Sequence, residues 1–285
     1  MGKLARPGVV AELLERHGIR LTRSLGQHFL VDGNVLGRLL ASADLQPGDT
    51  ALEIGPGIGT LTEELCARVE RVVAVEMDAR LVGILGETLR GRNNLELVHG
   101  DAMRLDLKSF FREGERVKVV SNLPYNVATP FILLLLRELP QAESMTVTVQ
   151  RELADRYLAT PGHPAYGGVS VKMEFLAEVS RVAYVPPTVF FPPPRVESCI
   201  LGIRKKETPL AYPEVEAFFR FLDAAFSARR KMLVNALGGG RAPYCERRAA
   251  EEALKSAGFS PSSRAEELSC RELLELFNLL MSQLA

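Results

Sequence analysis

Ala51-Leu52-Glu53-Ile54-Gly55-Pro56-Gly57-Ile58-Gly59-Thr60 is the stretch on which the fold turns. The apolar run from Thr50 to Ile54 has the length and composition of a buried strand. It passes into a turn with glycine at every second position, then into a helical run from Leu61 to Arg68. Strand, glycine turn and helix in that order open a doubly wound α/β unit. Working outward, further strands are expected at Arg71 to Asp78, Leu95 to His99 and Val117 to Val120, with helical spacing between them. Four consecutive strands thus end in Glu53, Glu76, Asp101 and Asn122. Open α/β sheets bind ligands at the carboxyl ends of their strands, so this register of polar residues marks a site.

The glycine spacing is G-x-G-x-G, not the G-x-G-x-x-G of dinucleotide folds, so no pyrophosphate is expected on the helix N-terminus. Glycine lets a ligand approach the backbone where any Cβ would clash, although many loops carry glycine for shape alone. With Glu53 ahead of it, the pattern is more typical of S-adenosylmethionine sites. Glu76 follows the first glycine at the distance where an acid takes ribose hydroxyls. The alternative is a solvated acid at a strand end. Asp101, in Gly100-Asp101-Ala102, is placed to accept from the amino group of a cofactor adenine. Glu53 is not assigned a cofactor contact, because it serves equally well by bonding loop amides and shaping the turn.

The stretch Val120-Ser121-Asn122-Leu123-Pro124-Tyr125-Asn126 carries the reaction chemistry. The lone pair of an exocyclic adenine nitrogen is delocalised into the ring and is a poor nucleophile. The Asn122 amide oxygen and the Leu123 carbonyl can accept its two hydrogens, and the Tyr125 ring can stack on an extruded base. Pro124 fixes its own φ and pushes Leu123 to an extended conformation, which makes the acceptors rigid. Asn and Pro also favour a plain strand-to-helix turn, so the tetrad gains its specificity from the glycine loop and Glu76 upstream.

With these residues in hand, the chain resembles the ribosomal RNA adenine N6,N6-dimethyltransferase family, in its small-subunit branch. The resemblance runs over nearly the whole chain. It starts at Ser24-Leu25-Gly26-Gln27-His28-Phe29-Leu30 and takes in the glycine loop, Glu76, Gly100-Asp101-Ala102 and Asn122-Leu123-Pro124-Tyr125-Asn126. It continues through Phe190-Phe191-Pro192-Pro193-Pro194-Arg195-Val196 and Phe226-Ser227-Ala228-Arg229-Arg230-Lys231, and ends near Pro261 to Leu268. It implies an α/β, Rossmann-like class I S-adenosylmethionine-dependent methyltransferase domain. That domain has a mostly parallel sheet with antiparallel end strands and is followed by a small all-α C-terminal domain. It implies that Gln27, His28 and Leu30 line the cofactor site with Gly55, Glu76, Asp101 and Asn122, and that Asn122, Leu123, Pro124 and Tyr125 are catalytic. It also implies that Phe190 or Phe191 stacks on the target base opposite Tyr125. The family usually has Asn where this chain has His28, and often Arg where it has Gly168. The implied reaction dimethylates two adjacent adenines in a 3′-terminal hairpin loop of small-subunit ribosomal RNA. The implied partners are that RNA and the immature small subunit, and the implied state is a monomer.

The chain has 285 residues, 47% hydrophobic, and a formal net charge of zero. Zero net charge does not exclude RNA, because distribution matters more than the sum. Arg204 to Arg248 holds ten Lys and Arg against five Asp and Glu, whereas Glu251 to Glu275 holds three against six. Arg229, Arg230 and Lys231 cannot all share one helical face, so some reach solvent or phosphate. The bland alternative is an ordinary mixed surface. The longest apolar run, Phe131 to Leu136, is far too short to span a membrane. No signal peptide is expected. Four dispersed cysteines, Cys66, Cys199, Cys245 and Cys270, form no C-x-x-C pair, so zinc is not expected and a reducing, cytoplasmic setting is.

The expected domains are 1–207, with an N-terminal helical arm, and 208–285, all helical and RNA-binding. Alternating β segments at Val179 to Val185 and Ser198 to Arg204 flank the proline-rich stretch and should end the sheet. Three rivals compete with the small-subunit reading. They are a large-subunit adenine methyltransferase of the macrolide-resistance type, an RNA-binding assembly factor without catalysis, and a nicotinamide dehydrogenase. The Leu123 choice and the Phe190 to Pro194 run favour the small-subunit branch, the complete donor and acceptor set argues against the binding protein, and the glycine spacing argues against the dehydrogenase.

Overall fold

A computed structural model describes residues 4–19, 27–228, 231–239 and 243–284. Contacts group the chain into two compact units, residues 1–154 with 179–205, and residues 155–178 with 206–285.

The first unit is built on a seven-stranded sheet. Its strands are β2 (Thr50–Ile54), β3 (Arg71–Glu76), β4 (Leu95–His99), β5 (Val117–Asn122), β6 (Ala142–Gln150), β7 (Ala177–Val185) and β9 (Ser198–Lys205). Their order across the sheet is β4-β3-β2-β5-β6-β9-β7. The first five are parallel and β9 runs antiparallel to β6. All five residues of β2 are buried, which explains a continuous apolar run rather than an alternating one. The helices α2 (Gly33–Ser42), α3 (Thr60–Cys66), α4 (Ala79–Thr88) and α5 (Ala128–Glu138) cover the sheet. α2 begins at Asp32, whose carboxylate accepts from the Asn34 and Val35 amides, and α4 begins at Asp78 by the same device. α5 carries Pro130 in its first turn, where no amide partner is lost, and stops before Pro140.

The direction of chain progress reverses between β2 and β5, which makes that pair the topological switch point. Pairing of β2 with β5 stops at Leu52 and Val119, whereas β2 stays paired with β3 to Ile54. The two central strands therefore part at their carboxyl ends. There the fully buried Ser121 donates its hydroxyl to the Ile54 carbonyl at 2.6 Å.

Two features are not legible as periodic segments. The first is a two-residue antiparallel ladder between β1 (Phe29–Leu30) and β8 (Phe190–Phe191), pairing Phe29 with Phe191 and Leu30 with Phe190. Ahead of it, α1 (Pro7–Arg16) buries Val10, Leu13 and Leu14 against Phe29, Ile58 and Ile84. The second is α7 (Gly168–Leu176), which follows α6 (Arg151–Tyr157). It buries Ser170, Val171, Met173, Phe175 and Leu176 and so shows no polar stripe.

The second unit is helical, with α7, α8 (Tyr212–Ala225), α9 (Leu233–Leu237), α10 (Arg247–Ser256) and α11 (Cys270–Leu284). Its core is aromatic. Phe218 lies 5.1 Å from Phe175 of α7 and 5.3 Å from Phe277 of α11, ring centre to ring centre. This packing draws residues 155–178 to the helical unit, so the division differs from a single cut at 207/208.

Candidate active site

The glycine turn rises from β2 with three glycines at φ +66°, +63° and +90° (Gly55, Gly57, Gly59), a region that side chains disfavour. Gly59 forms the N-cap of α3 in the left-handed conformation. A Cβ on Gly57 would meet the Phe29 ring at 2.7 Å, so the turn is threaded under the segment that bears β1. Glu76, at the end of β3, latches the turn: one carboxylate oxygen accepts from the Gly57 amide at 3.1 Å, the other from the Asp78 amide at 2.9 Å. Burial pushes the Glu76 carboxyl above its ordinary pKa, and the two amides pull it back.

Glu53 is 2% exposed. Burial pushes its carboxyl up to about 8; the Thr62 hydroxyl opposes this and the Glu76 charge adds to it. Its Oε2 has no hydrogen-bond partner, yet Glu53 lines the same cleft as Glu76. An unpaired carboxyl buried in this way keeps its proton until a cation arrives to pair with it. On the far wall the Asp78 carboxylate bonds the Arg80 guanidinium and accepts from Gln27 Nε2 at 2.9 Å; the Arg80 bond leads in holding its pKa to about 2. At the end of β4, one Asp101 oxygen accepts from the Met103 amide at 3.0 Å, and Arg104 lies 3.4 Å from the other. Met77 and Met103 stand 51% and 36% exposed in the wall. Each is an apolar residue directly or closely following a strand-end acid, and that signal was available in the sequence.

On the opposite side of the switch point, Asn122 donates Nδ2 to the His28 carbonyl at 2.8 Å. Only the nitrogen can donate to a carbonyl, so the amide orientation is determined and Oδ1 is left as an acceptor. Oδ1 is buried and has no partner. His28 Nδ1 lies 2.7 Å from the Pro192 carbonyl, which assigns the ring proton to Nδ1. The His28 ring stacks on Tyr125, with centres 5.6 Å apart and planes at 27°. The Tyr125 and Ser198 hydroxyls share a hydrogen bond, and burial raises the Tyr125 phenol above its ordinary pKa. Pro124 packs near Gly55, closing the tetrad onto the glycine turn.

Gln27, His28, Leu30, Gly55, Glu76, Asp101 and Asn122 all line this one cleft, with Pro124 beside them. Leu123 is buried, and only its backbone is available as an acceptor. Phe190 is 3% exposed and belongs to the core cluster with Leu30 and Val120. Phe191 is partly buried against the cluster of α1. Neither lines the cleft, and the ring that meets Tyr125 is His28 instead. Arg229 and Arg230 lie outside the described residues; Lys231 is exposed and belongs to the second unit. Among the described residues no group of three or more His, Cys, Asp or Glu has the arrangement of a metal site, and no helix is long and apolar enough to cross a membrane.

Known proteins resemble this chain in fold and in sequence. A dimethyladenosine transferase from Plasmodium falciparum superposes with a TM-score of 0.72 at 23% identity, covering 89% of this chain and 98% of that one. The 23S rRNA methyltransferase ErmE superposes at 0.64 with 28% identity, over 89% and 99%. Ribosomal RNA small subunit methyltransferase A from Shouchella clausii is 38% identical over 99% of this chain and 97% of its own length. The model of the ribosomal RNA adenine dimethylases matches residues 18–282, which include the glycine turn, the Asn-Leu-Pro-Tyr tetrad and most of the helical unit, and the chain therefore belongs to the ribosomal RNA adenine dimethylase family.

Proposed function

We propose that the chain dimethylates N6 of two adjacent adenines in a 3′-terminal hairpin loop of small-subunit ribosomal RNA, with S-adenosylmethionine as donor. One observation carries the reading. The Asn122 amide is locked by the His28 carbonyl so that its buried Oδ1 has no partner except what enters the cleft. An acceptor left bare in a buried site is costly unless a donor arrives, and the amino group of adenine is such a donor.

When bound, S-adenosylmethionine supplies an electrophilic methyl group. The residues present fit it: Glu76 keeps free lone pairs for ribose hydroxyls, Asp101 keeps an oxygen for an adenine amino group, and the bare Glu53 oxygen suits an ammonium. Asn122 Oδ1 and the Leu123 carbonyl hold the two amino hydrogens of the target. That draws the N6 lone pair out of conjugation with the ring and toward the donor. Tyr125, braced by Ser198 and His28, supplies the stacking face. The alkylated nitrogen is acidic and gives up its proton without a strong base. Catalysis is positioning and electrostatic preorganisation. A second methylation needs only that the monomethylated base fit the same pocket. The N-terminal segment and the helical unit contribute RNA contacts, Lys231 with Arg229 and Arg230 among them. The protein works as a cytoplasmic monomer on immature small subunits.

The test is transfer of labelled methyl from S-adenosylmethionine to undermethylated small subunits, with large subunits alongside. Label recovered as N6,N6-dimethyladenine in small-subunit RNA is the expected outcome. Label on large-subunit RNA alone moves the chain to the resistance-type branch, and cofactor binding with no label on either makes it an RNA-binding assembly factor.

A further inference from the structure

The cleft wall holds two groups to which the proposed reaction gives no part, the thioethers of Met77 and Met103. Each is placed by the strand-end acid before it. Met77 stands between Glu76 and Asp78, and the Glu76 carboxylate spans it to accept from the Asp78 amide at 2.9 Å. The Met103 amide itself donates to the Asp101 carboxylate at 3.0 Å. The backbone is thus pinned at both positions, while 51% of Met77 and 36% of Met103 stay open to solvent.

The other described sulfurs sit in different settings. Met145 and Met173 are buried. Met232 and Met281 are as open as the cleft pair, at 37% and 40%, but neither lines the cleft. All four cysteines are buried, and burial pushes Cys66 up to about 11, Cys270 up to about 12 and Cys245 above its ordinary pKa. Peroxide attacks thiolates, which buried thiols of raised pKa do not furnish. A thioether has no proton to lose, so its attack depends on access. Oxidation chemistry at the ligand site therefore falls to Met77 and Met103. Each adjoins one of the two acids assigned to the cofactor, Glu76 for the ribose and Asp101 for the adenine. A soft thioether suits the face of a purine, whereas a sulfoxide adds a polar oxygen that a bound purine must strip of water.

We infer that Met77 and Met103 are oxidisable sites through which peroxide controls cofactor binding. The sulfur lone pair attacks one oxygen of hydrogen peroxide, the O–O bond breaks, an S–O bond forms, and the other oxygen leaves as water. Sulfur is oxidised by two electrons and the peroxide is reduced. A thiol-dependent sulfoxide reductase reverses the step, releasing water and oxidising two thiols to a disulfide. Cofactor and oxidant compete, because a bound cofactor covers the sulfurs and an oxidised wall weakens the cofactor. The inference rests on the proposed donor and adds its regulation.

The test begins with the full wild-type chain, treated with hydrogen peroxide in the presence and absence of S-adenosylmethionine and digested for mass spectrometry. Sulfoxide at Met77 and Met103 should form several-fold more slowly with the cofactor bound. Met232 and Met281, comparably exposed, should oxidise at one rate in both samples. In calorimetry the S-adenosylmethionine Kd of the oxidised protein should rise roughly tenfold, the scale of one polar group buried without a partner, and a sulfoxide reductase should restore it. Met77→Leu/Met103→Leu, compared with its own untreated state, should keep its Kd after peroxide. Protection that is equal at all four exposed methionines overturns the inference, and so does a Kd that is unchanged once both cleft sulfurs are converted. A Leu pair that loses affinity as the wild type does also overturns it, by assigning the effect to other sulfurs. A wild type that binds no S-adenosylmethionine before any oxidant breaks the proposed donor, and this inference with it. One that binds the cofactor but labels neither subunit breaks only the proposed substrate.

Discussion

The two halves of the cleft are held by different kinds of contact. On the glycine-turn side the polar groups are fixed mainly by backbone amides of the turn and of their own strand ends, with one remote contact, Gln27 to Asp78 across 51 positions. Glu76 bonds the Gly57 and Asp78 amides, Asp101 bonds the amide two residues on, and Asp78 caps its own helix. On the Asn122 side every decisive contact is remote. The amide reaches a carbonyl 94 positions away, His28 reaches Pro192 across 164, and Tyr125 reaches Ser198 across 73. The first half is therefore a property of short motifs, and the second exists only once distant segments meet.

The contrast can be broken or sharpened by mutation. The largest effect is expected at Phe190, which the structure makes a core residue rather than a base-stacking one. Phe190→Ala should cost about 3–5 kcal/mol in chemical denaturation. Full stability with a selective rise in KM for RNA would return the ring to the pocket. Asn122→Ala should lower kcat by roughly 100- to 1000-fold, the loss of one preorganised polar contact to the reacting group. Cofactor affinity by calorimetry should change little, and a comparable loss of both would move Asn122 to the donor half.

Glu53 tests the electrostatics of the local half. Its folded pKa is raised from 4.5 to about 8, so between those values the folded protein holds a proton that the unfolded chain has released. Stability should therefore fall as pH rises from about 4.5 to about 8 and level off above that. Glu53→Gln should flatten this trend in melting curves taken across the window, and an unchanged slope would assign it to other groups. Gly57→Ala should cost more than the about 1–2 kcal/mol of a left-handed alanine, because its Cβ would meet the buried Phe29 ring at 2.7 Å. A loss no larger than that would mean that the β1 segment gives way easily over the turn.

The same contrast accounts for what the sequence disclosed. The β2 strand, the glycine turn and the four strand-end polar residues could be read because apolar runs, glycines and acids recur at intervals set by the sheet itself. A doubly wound sheet and a helical C-terminal region could be read from the alternation of segments and its loss toward the end of the chain, whereas the strand order and the joining of residues 155–178 to the helical unit could not. The pairing of Phe29-Leu30 with Phe190-Phe191 could not be read, because two residues make no period and their partners lie far apart. For the same reason the sequence does not show that the His28 carbonyl orients Asn122 while His28 lines the cleft, or that the rings of Phe190 and Phe191 pack in cores. α7 is illegible on different grounds, since a helix buried on several faces shows no amphipathic stripe.

The β1–β8 ladder has a kinetic consequence. Two rungs close a loop spanning most of the chain, so the entropy of closure falls due before many contacts reward it. Residues 27–30 should dock last in folding and open first in native-state hydrogen exchange. Because that one short segment holds Asp78 through Gln27, Asn122 through His28 and the glycine turn through Phe29, its opening dismantles both halves of the cleft together. Whatever binds either half therefore slows the exchange of the other.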